Sequence, residues 1–248
     1  MNQNAKKIGI VGYGEIGSSL EKCYLGKNFD LRVRDIVRDD GLENCNILNI
    51  CIPYKDESFI DIVSYYIKNL NPGLTIIHST VIPGTTLKII EKTGNNNIVH
   101  SPVRGVHPKL YEGLKTFVKY IGSETFQPAV EASKHFNELG ILNEVILSTK
   151  STELAKILCT TYYGLCIAWH DEVNRICKEQ DVLFENVMTK WNTTYNDGYE
   201  KLGMKHVNRP VLYPPVDSKI GGHCVIPNAE LCKTFFESTV LDYILERK

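Results

Sequence analysis

The sequence has almost no net charge, no long apolar run and no Cys-x-x-Cys pair. Its 28 basic and 29 acidic side chains leave a net charge of −1, so no bulk attraction to nucleic acid or to a membrane surface is expected. Met1 to Lys7 lacks the apolar core of a signal peptide, and no later run approaches the roughly 20 apolar residues of a membrane span. We expect a cytoplasmic protein with neither nucleic-acid nor membrane partners.

Eight cysteines are distributed over the 248 residues, most of them in apolar segments. This distribution fits a reducing compartment better than a disulfide framework, and a zinc site is not expected. Cys224 differs, because it follows Gly221 and Gly222 and precedes Pro227. Glycine allows a backbone to approach a ligand closely. We interpret Cys224 as a reactive thiol, and a tight turn without chemistry is the alternative.

A strand, a glycine-rich turn and a helix are predicted near the start of the chain. The β-branched run Lys7 to Val11 leads into Gly12-Tyr13-Gly14-Glu15-Ile16-Gly17. This spacing allows a tight turn, the approach of a pyrophosphate to the helix N-terminus, and close helix packing. Asp35 ends a second strand about 20 residues downstream, where the ribose of an adenosine would lie. The pattern favours NAD as cofactor, and the neighbouring Arg34 and Arg38 leave NADP open.

Strands and helices alternate up to residue 148. This rhythm predicts a Rossmann-like, doubly wound, mostly parallel sheet whose ligands lie at the carboxyl ends of its strands. At those ends we expect Pro53 and Ser79 to contact the cofactor. The hydroxyl cluster from Ser79 to Thr86 is equally well interpreted as a helix cap. Arg104 and His107 lie in a later loop and are suited to an anionic substrate.

From Ser151 the apolar spacing is helical for about thirty residues, with Ser151 as the expected N-cap. Glu153, Lys156 and Thr160 share one face of this helix, which could direct the Lys156 ammonium and the Thr160 hydroxyl into one cleft, and an ordinary surface ion pair is the alternative. Cys159, Cys166 and Cys177 are expected to pack in this helix. Its length indicates a connector or a dimer element. We expect an NAD-binding domain at residues 1–148 and an all-helical domain with a long central helix at residues 149–248.

The chain resembles the nucleotide-sugar 6-dehydrogenases, the family of UDP-glucose, UDP-N-acetylmannosamine and GDP-mannose dehydrogenases. Four ordered signatures carry the resemblance: Gly12-x-Gly14-x-x-Gly17, Ser79-Thr80-Val81-x-Pro83-Gly84, Glu153-x-x-Lys156 and Gly221-Gly222-His223-Cys224-x-x-Pro227. The resemblance implies that a C6 alcohol is oxidised to a carboxylate with two NAD molecules, through a thiohemiacetal and a thioester on Cys224. Lys156 would stabilise the oxyanion and Thr80 would order a catalytic water.

The resemblance also implies a homodimer, a nucleotide-sugar substrate and substrate contacts from Gly221 and Gly222. The sequence departs from the family at three positions: Thr160 replaces an asparagine beside the oxyanion, and Val103 and Asn228 replace acids. The hydroxyl of Thr160 is a shorter donor to the same oxyanion.

The family continues into a third, nucleotide-binding domain, whereas this sequence ends at Lys248. We therefore expect a truncated form, with three explanations open: a separate nucleotide-binding subunit, a smaller substrate or a changed task. A two-electron dehydrogenase of the β-hydroxyacid type and a non-catalytic NAD-binding or regulatory protein are the alternative functions.

Overall fold

A computed structural model of the protein describes residues 5 to 248. The chain divides into two units, Met1–Lys156 and Ile157–Lys248. The predicted domain boundary, between residues 148 and 149, lies just before the long helix, whereas the division by packing falls inside it. The reason is that Thr149, Thr152 and Glu153 in the first turns of that helix bond to groups of the first unit.

Within the described residues of the first unit, eight strands form one sheet. In chain order they are β1 (Lys6–Val11), β2 (Phe29–Asp35), β3 (Arg38–Asp39), β4 (Ile47–Ile50), β5 (Leu74–Ile77), β6 (Ile98–His100), β7 (Lys119–Gly122) and β8 (Asn143–Ile146). Their spatial order is β3-β2-β1-β4-β5-β6-β7-β8. Strands β1, β2, β4, β5 and β6 are parallel, whereas β3 pairs antiparallel with β2 and β7 antiparallel with β6. This topology confirms the predicted mostly parallel sheet.

Helices cover both faces of the sheet. They are α1 (Glu15–Tyr24), α2 (Ser58–Leu70), α3 (Thr85–Thr93), α4 (Leu110–Thr116) and α5 (Phe126–Glu138). One buried apolar cluster joins α1, α4 and α5, and a second joins α2 and α3. Ile76 belongs to the first cluster and Ile77 to the second, because successive side chains of a strand point to opposite faces. The doubly wound arrangement is therefore confirmed.

The long helix α6 (Thr149–Glu179) has 31 residues, as its spacing predicted, but Ser151 is not its N-cap. The helix begins at Thr149, whose backbone N–H and hydroxyl donate to Glu124 Oε1 at 2.8 and 2.6 Å. Ser148, the residue before the helix, accepts a hydrogen bond from the backbone N–H of Ser151 at 3.1 Å, so a serine does cap this helix, three residues earlier than predicted.

The second unit is helical, as predicted. It holds the rest of α6, a single π turn at Glu185–Thr189, α7 (Lys190–Lys201), α8 (Val225–Lys233) and α9 (Thr239–Leu245). Its buried core includes Ile157, Ile220, Val225 and Ile244. None of the helices within residues 5 to 248 combines the length and apolar composition needed to cross a membrane.

Candidate functional site

The glycine turn between β1 and α1 has the close backbone approaches that its spacing predicted. Gly12 has φ of +92°, and a Cβ there would lie 2.9 Å from the carbonyl carbon of Cys51. A Cβ on Gly17 would lie 2.0 Å from the backbone oxygen of Gly12, so this glycine is needed by the turn itself as well as by helix packing. A Cβ on Gly14 would meet nothing within 4 Å. The turn is therefore tightly packed on one side and open in front of Gly14.

Asp35, the predicted ribose ligand, lies at the end of β2 beside this turn. Its Oδ2 accepts a hydrogen bond from the backbone N–H of Tyr13 at 2.5 Å, and its Oδ1 accepts one from Ile36 at 2.7 Å. The Tyr13 hydroxyl donates to Glu21, and this bond is the main reason why the pKa of Tyr13 is raised. The structure thus brings Asp35 next to Tyr13 of the glycine turn.

The two arginines that left NADP open are paired with carboxylates. Arg34 Nη2 lies 2.9 Å from Asp39 Oδ2, and Arg38 Nη2 lies 2.8 Å from Asp40 Oδ2. Hydrogen bonds from these guanidinium groups lower the pKa of both aspartates. A 2′-phosphate at this edge of the sheet would have to compete with the carboxylates of Asp39 and Asp40 for the two arginines.

The residues predicted at the strand ends lie in adjacent loops. Pro53 is exposed after β4, Ser79 is buried after β5, and Thr80 is half-buried. The hydroxyl of Ser79 donates to the backbone oxygen of Ile52 at 2.5 Å and so links the two loops. Ser79 therefore fixes the loop from which Thr80 projects.

The hydroxyl cluster after β5 is followed by α3, and a buried carboxylate from α6 caps this helix. Glu153 accepts hydrogen bonds from the backbone N–H of Gly84 at 2.6 Å and from the N–H and hydroxyl of Thr86 at 2.8 and 2.6 Å. Its side chain is fully buried, and burial raises the pKa of its carboxyl. An exposed surface ion pair, the alternative considered for this helix face, is not formed by Glu153, because its carboxylate is buried. Only the three-dimensional fold reveals this role, since 67 residues separate Glu153 from Thr86.

The predicted substrate-binding loop contacts other parts of the first unit. The Arg104 guanidinium lies 5.3 Å from the centre of the Tyr120 ring and donates to the backbone oxygen of Val118 at 3.2 Å. His107 Nδ1 pairs with the carboxylate of Glu15 in the first turn of α1. His107 therefore lies near the glycine turn.

Two buried groups for which the sequence predicted no role fix the neighbouring strand ends. His100 Nδ1 lies 2.8 Å from Thr152 Oγ1, and burial lowers the pKa of this imidazole to about 3. Lys119 Nζ donates to the backbone oxygen of Ser101 at 2.6 Å, and burial lowers its pKa to about 7. For Lys119 the sequence did hold a signal, since a lysine within the apolar run around β7 is unusual.

On α6, Lys156 and Thr160 are both half-buried and lie one helical turn apart. Cys159, which was expected to pack, is exposed, because it lies on another side of the helix from buried Ile157. Residues 221 to 224, here called the arch, form the loop before α8. Cys224 is the half-buried N-cap residue of α8.

Within the arch, Gly221 and Gly222 are exposed, and a Cβ on either would meet nothing within 4 Å. Gly222 has φ of +86°, which favours glycine. Pro227, expected to close a turn, lies instead in the first turn of α8, where a missing N–H is tolerated. The arch therefore presents open backbone next to the sulfur of Cys224.

A doubly wound sheet with a glycine turn at the start of its first helix is the architecture of the Rossmann fold. No family model matches the chain. The UDP-N-acetyl-D-mannosamine dehydrogenase of Methanococcus vannielii is 28% identical over 197 residues, which are 75% of this chain and 39% of that protein.

Solved structures share the fold. The UDP-D-ManNAc dehydrogenase of Pyrococcus horikoshii has a TM-score of 0.73 at 19% identity, over 97% of this chain and 68% of that one. The 3-hydroxyisobutyrate dehydrogenase of Mycobacterium tuberculosis has a TM-score of 0.71 at 11% identity, over 98% of this chain and 92% of that one.

These comparisons confirm the resemblance to nucleotide-sugar dehydrogenases and the Rossmann-type fold with a helical unit. The chain spans about two fifths of the length of the curated relatives that it matches.

Proposed function

We propose that this chain carries out the NAD-dependent oxidation of a nucleotide-sugar C6 alcohol to a carboxylate, with Cys224 as covalent nucleophile. The observation that carries the proposal is the arch, in which two exposed glycines leave open backbone beside a half-buried cysteine at the start of a helix. The glycine turn of the first unit supports a dinucleotide cofactor. A mannosamine dehydrogenase among the curated relatives makes UDP-N-acetylmannosamine the first substrate to test.

The glycine turn fits NAD. The space in front of Gly14 admits a pyrophosphate, which the backbone N–H groups at the start of α1 would bind. Asp35 would accept hydrogen bonds from ribose hydroxyls, and its charge and the carboxylate partners of Arg34 and Arg38 disfavour a 2′-phosphate. NAD, when bound, would accept the hydrides that the oxidation releases.

The covalent steps are assigned to Cys224. Its thiolate adds to the carbon of the aldehyde formed by the first oxidation and gives a thiohemiacetal, which retains one hydrogen on that carbon. Loss of this hydrogen as hydride, together with the hydroxyl hydrogen as a proton, leaves a thioester. Water then adds to the thioester carbonyl, the carbon–sulfur bond breaks, and the thiol and the carboxylate are released with a proton. Covalent capture keeps the aldehyde from escaping between the two oxidations.

Three further side chains have proposed roles around this carbon. The ammonium of Lys156 and the hydroxyl of Thr160 would stabilise the oxyanion of each tetrahedral species, and Thr80 would orient the attacking water. Both residues of α6 are half-buried, which suits groups that face a ligand while remaining anchored. Electrostatic groups of this kind usually make the largest single contribution to catalysis.

The residues proposed to contact the substrate differ in one respect from those expected from the sequence, namely the role of His107. Gly221 and Gly222 would offer backbone groups to the sugar, because both are exposed. Arg104 now packs on aromatic rings, and His107 pairs with Glu15 beside the glycine turn. The pairing of His107 supports a role next to the cofactor more than a direct contact with the sugar.

The proposed assembly is a homodimer formed through the second unit. The side chains of Leu158, Tyr162, Trp169 and Ile176 are all more than 40% exposed and recur along α6 at steps of four and seven residues. Such a stripe of large apolar residues is typical of a helix that packs against another surface. A separate nucleotide-binding subunit is compatible with the same proposal.

The test counts NADH formed per sugar, with UDP-N-acetylmannosamine first and a panel of nucleotide sugars and β-hydroxyacids after it. We expect two NADH per substrate, and Cys224→Ser should stop the reaction before the carboxylate. Cys159→Ser is the matched control, because Cys159 is an exposed thiol outside the arch.

One NADH per substrate together with an active Cys224→Ser variant would instead identify a two-electron dehydrogenase of the β-hydroxyacid type. NAD binding without turnover on the whole panel would indicate a non-catalytic NAD-binding protein.

A further inference from the structure

Gly164 occupies an interior position of α6, where glycine makes a helix less stable than alanine does. A Cβ on Gly164 would lie 2.5 Å from Val225 Cγ1 and 3.3 Å from Ile244 Cγ2. The first distance is too short for two carbon atoms that are not bonded to each other. The glycine therefore lets the start of α8 and the α9 residue Ile244 lie directly against the backbone of α6.

The residue in contact with Gly164 is the direct neighbour of the proposed nucleophile. Val225 is 6% exposed and follows Cys224, while Ile220, also 6% exposed, precedes the arch. The backbone N–H of Ile220 donates to the oxygen of Arg247 at 2.8 Å. The arch is thus a four-residue segment held at both ends by buried residues, and the Val225 end rests on Gly164.

We propose that Gly164 is a positioning residue for Cys224: the absence of a side chain at 164 sets how closely Val225, and with it the sulfur of Cys224, approaches α6. The same contact sets the position of the arch along α6. Gly164 lies one helical turn from Thr160, a rise of about 6 Å along that helix. The catalytic consequence rests on the proposed function. The structural consequence is independent of it, because the reactivity of the thiol can be measured without substrate.

The experiment measures the rate at which iodoacetamide modifies Cys224, followed by mass spectrometry of the peptide that contains it. Exposed Cys159 serves as an internal reference in every sample. Gly164→Ala should push Val225 outward and raise the modification rate of half-buried Cys224 by about threefold or more. The double variant Gly164→Ala/Val225→Ala should restore the wild-type rate, because removing both Cγ atoms makes room for the new methyl group.

Gly198→Ala is the matched control. Gly198 also lies in a helix, α7, but a Cβ there would meet nothing within 4 Å. This variant should label at the wild-type rate. An unchanged rate in Gly164→Ala, or a double variant that retains the raised rate or does not fold, would overturn the proposal.

If Gly164→Ala alone does not fold, the double variant is compared with Val225→Ala alone, and only the double variant should match the wild type. Turnover of the wild type is measured separately. A shifted labelling rate in a protein that turns over no substrate would contradict the proposed function and leave the positioning role standing.

Discussion

Replacing Glu153 by alanine should destabilise the first unit by about 3 kcal/mol or more, since each buried donor left without a partner costs about 1–3 kcal/mol. Three donors lose their acceptor: the N–H groups of Gly84 and Thr86 and the hydroxyl of Thr86. Glu153 is fully buried, so bulk water does not readily replace its oxygens. The variant also removes a negative charge from the N-terminus of α3, which adds to the loss.

The assay is urea unfolding followed by far-ultraviolet circular dichroism, combined with hydrogen exchange of the peptide that covers Thr85–Thr93. Glu124→Ala is the matched control, because Glu124 accepts the same pair of bonds, from the N–H and hydroxyl of Thr149, on an exposed side chain. Water can take its place, so a loss of about 1 kcal/mol or less is expected there. Equal losses in the two variants, or faster exchange in α3 without any loss of stability, would refute the reasoning.

Three further predictions concern the first unit. Burial lowers the pKa of Lys119 to about 7 in the folded chain. Between pH 7 and the ordinary lysine pKa, this side chain therefore carries a proton in the unfolded chain but not in the folded chain. The free energy of unfolding in urea is compared between the wild type and Lys119→Met. The stability of the wild type relative to the variant should rise from pH 7 to 10, by at most about 1.4 kcal/mol per pH unit. A difference that does not depend on pH would contradict this. Gly17→Ala should lower the thermal midpoint of unfolding by about 4 °C or more, because the new Cβ meets the backbone oxygen of Gly12. Gly14→Ala should leave this midpoint unchanged and should weaken NAD binding in a fluorescence titration. The reverse ranking of the two glycines would contradict the tight packing at Gly17 and the open space at Gly14. Changing both Asp39 and Asp40 to asparagine should remove the nearest carboxylate partner of each arginine and improve binding of NADP relative to NAD by about tenfold in the same titration. An unchanged ratio would count against the role of these aspartates.

Elements with a strong local pattern were predictable. The spacing predicted a helix from Ser58 to Asn69, and α2 runs Ser58–Leu70, because its apolar residues recur with the period of a helix. Strand β3 was not predicted, since its two residues are extended only through pairing with β2. The seven-residue helix α4 was not predicted, because a helix this short depends on tertiary packing of Leu110 and Leu114.

The sequence by itself determined the alternating strands and helices, the glycine turn, and the two glycines that precede Cys224 in the arch. Each of these features depends on residue types at fixed short spacings. The tertiary structure decided where distant groups meet. It brought Glu153 to the start of α3 and set Val225 on Gly164. These contacts depend on how closely packed elements approach one another, a quantity that no local pattern encodes.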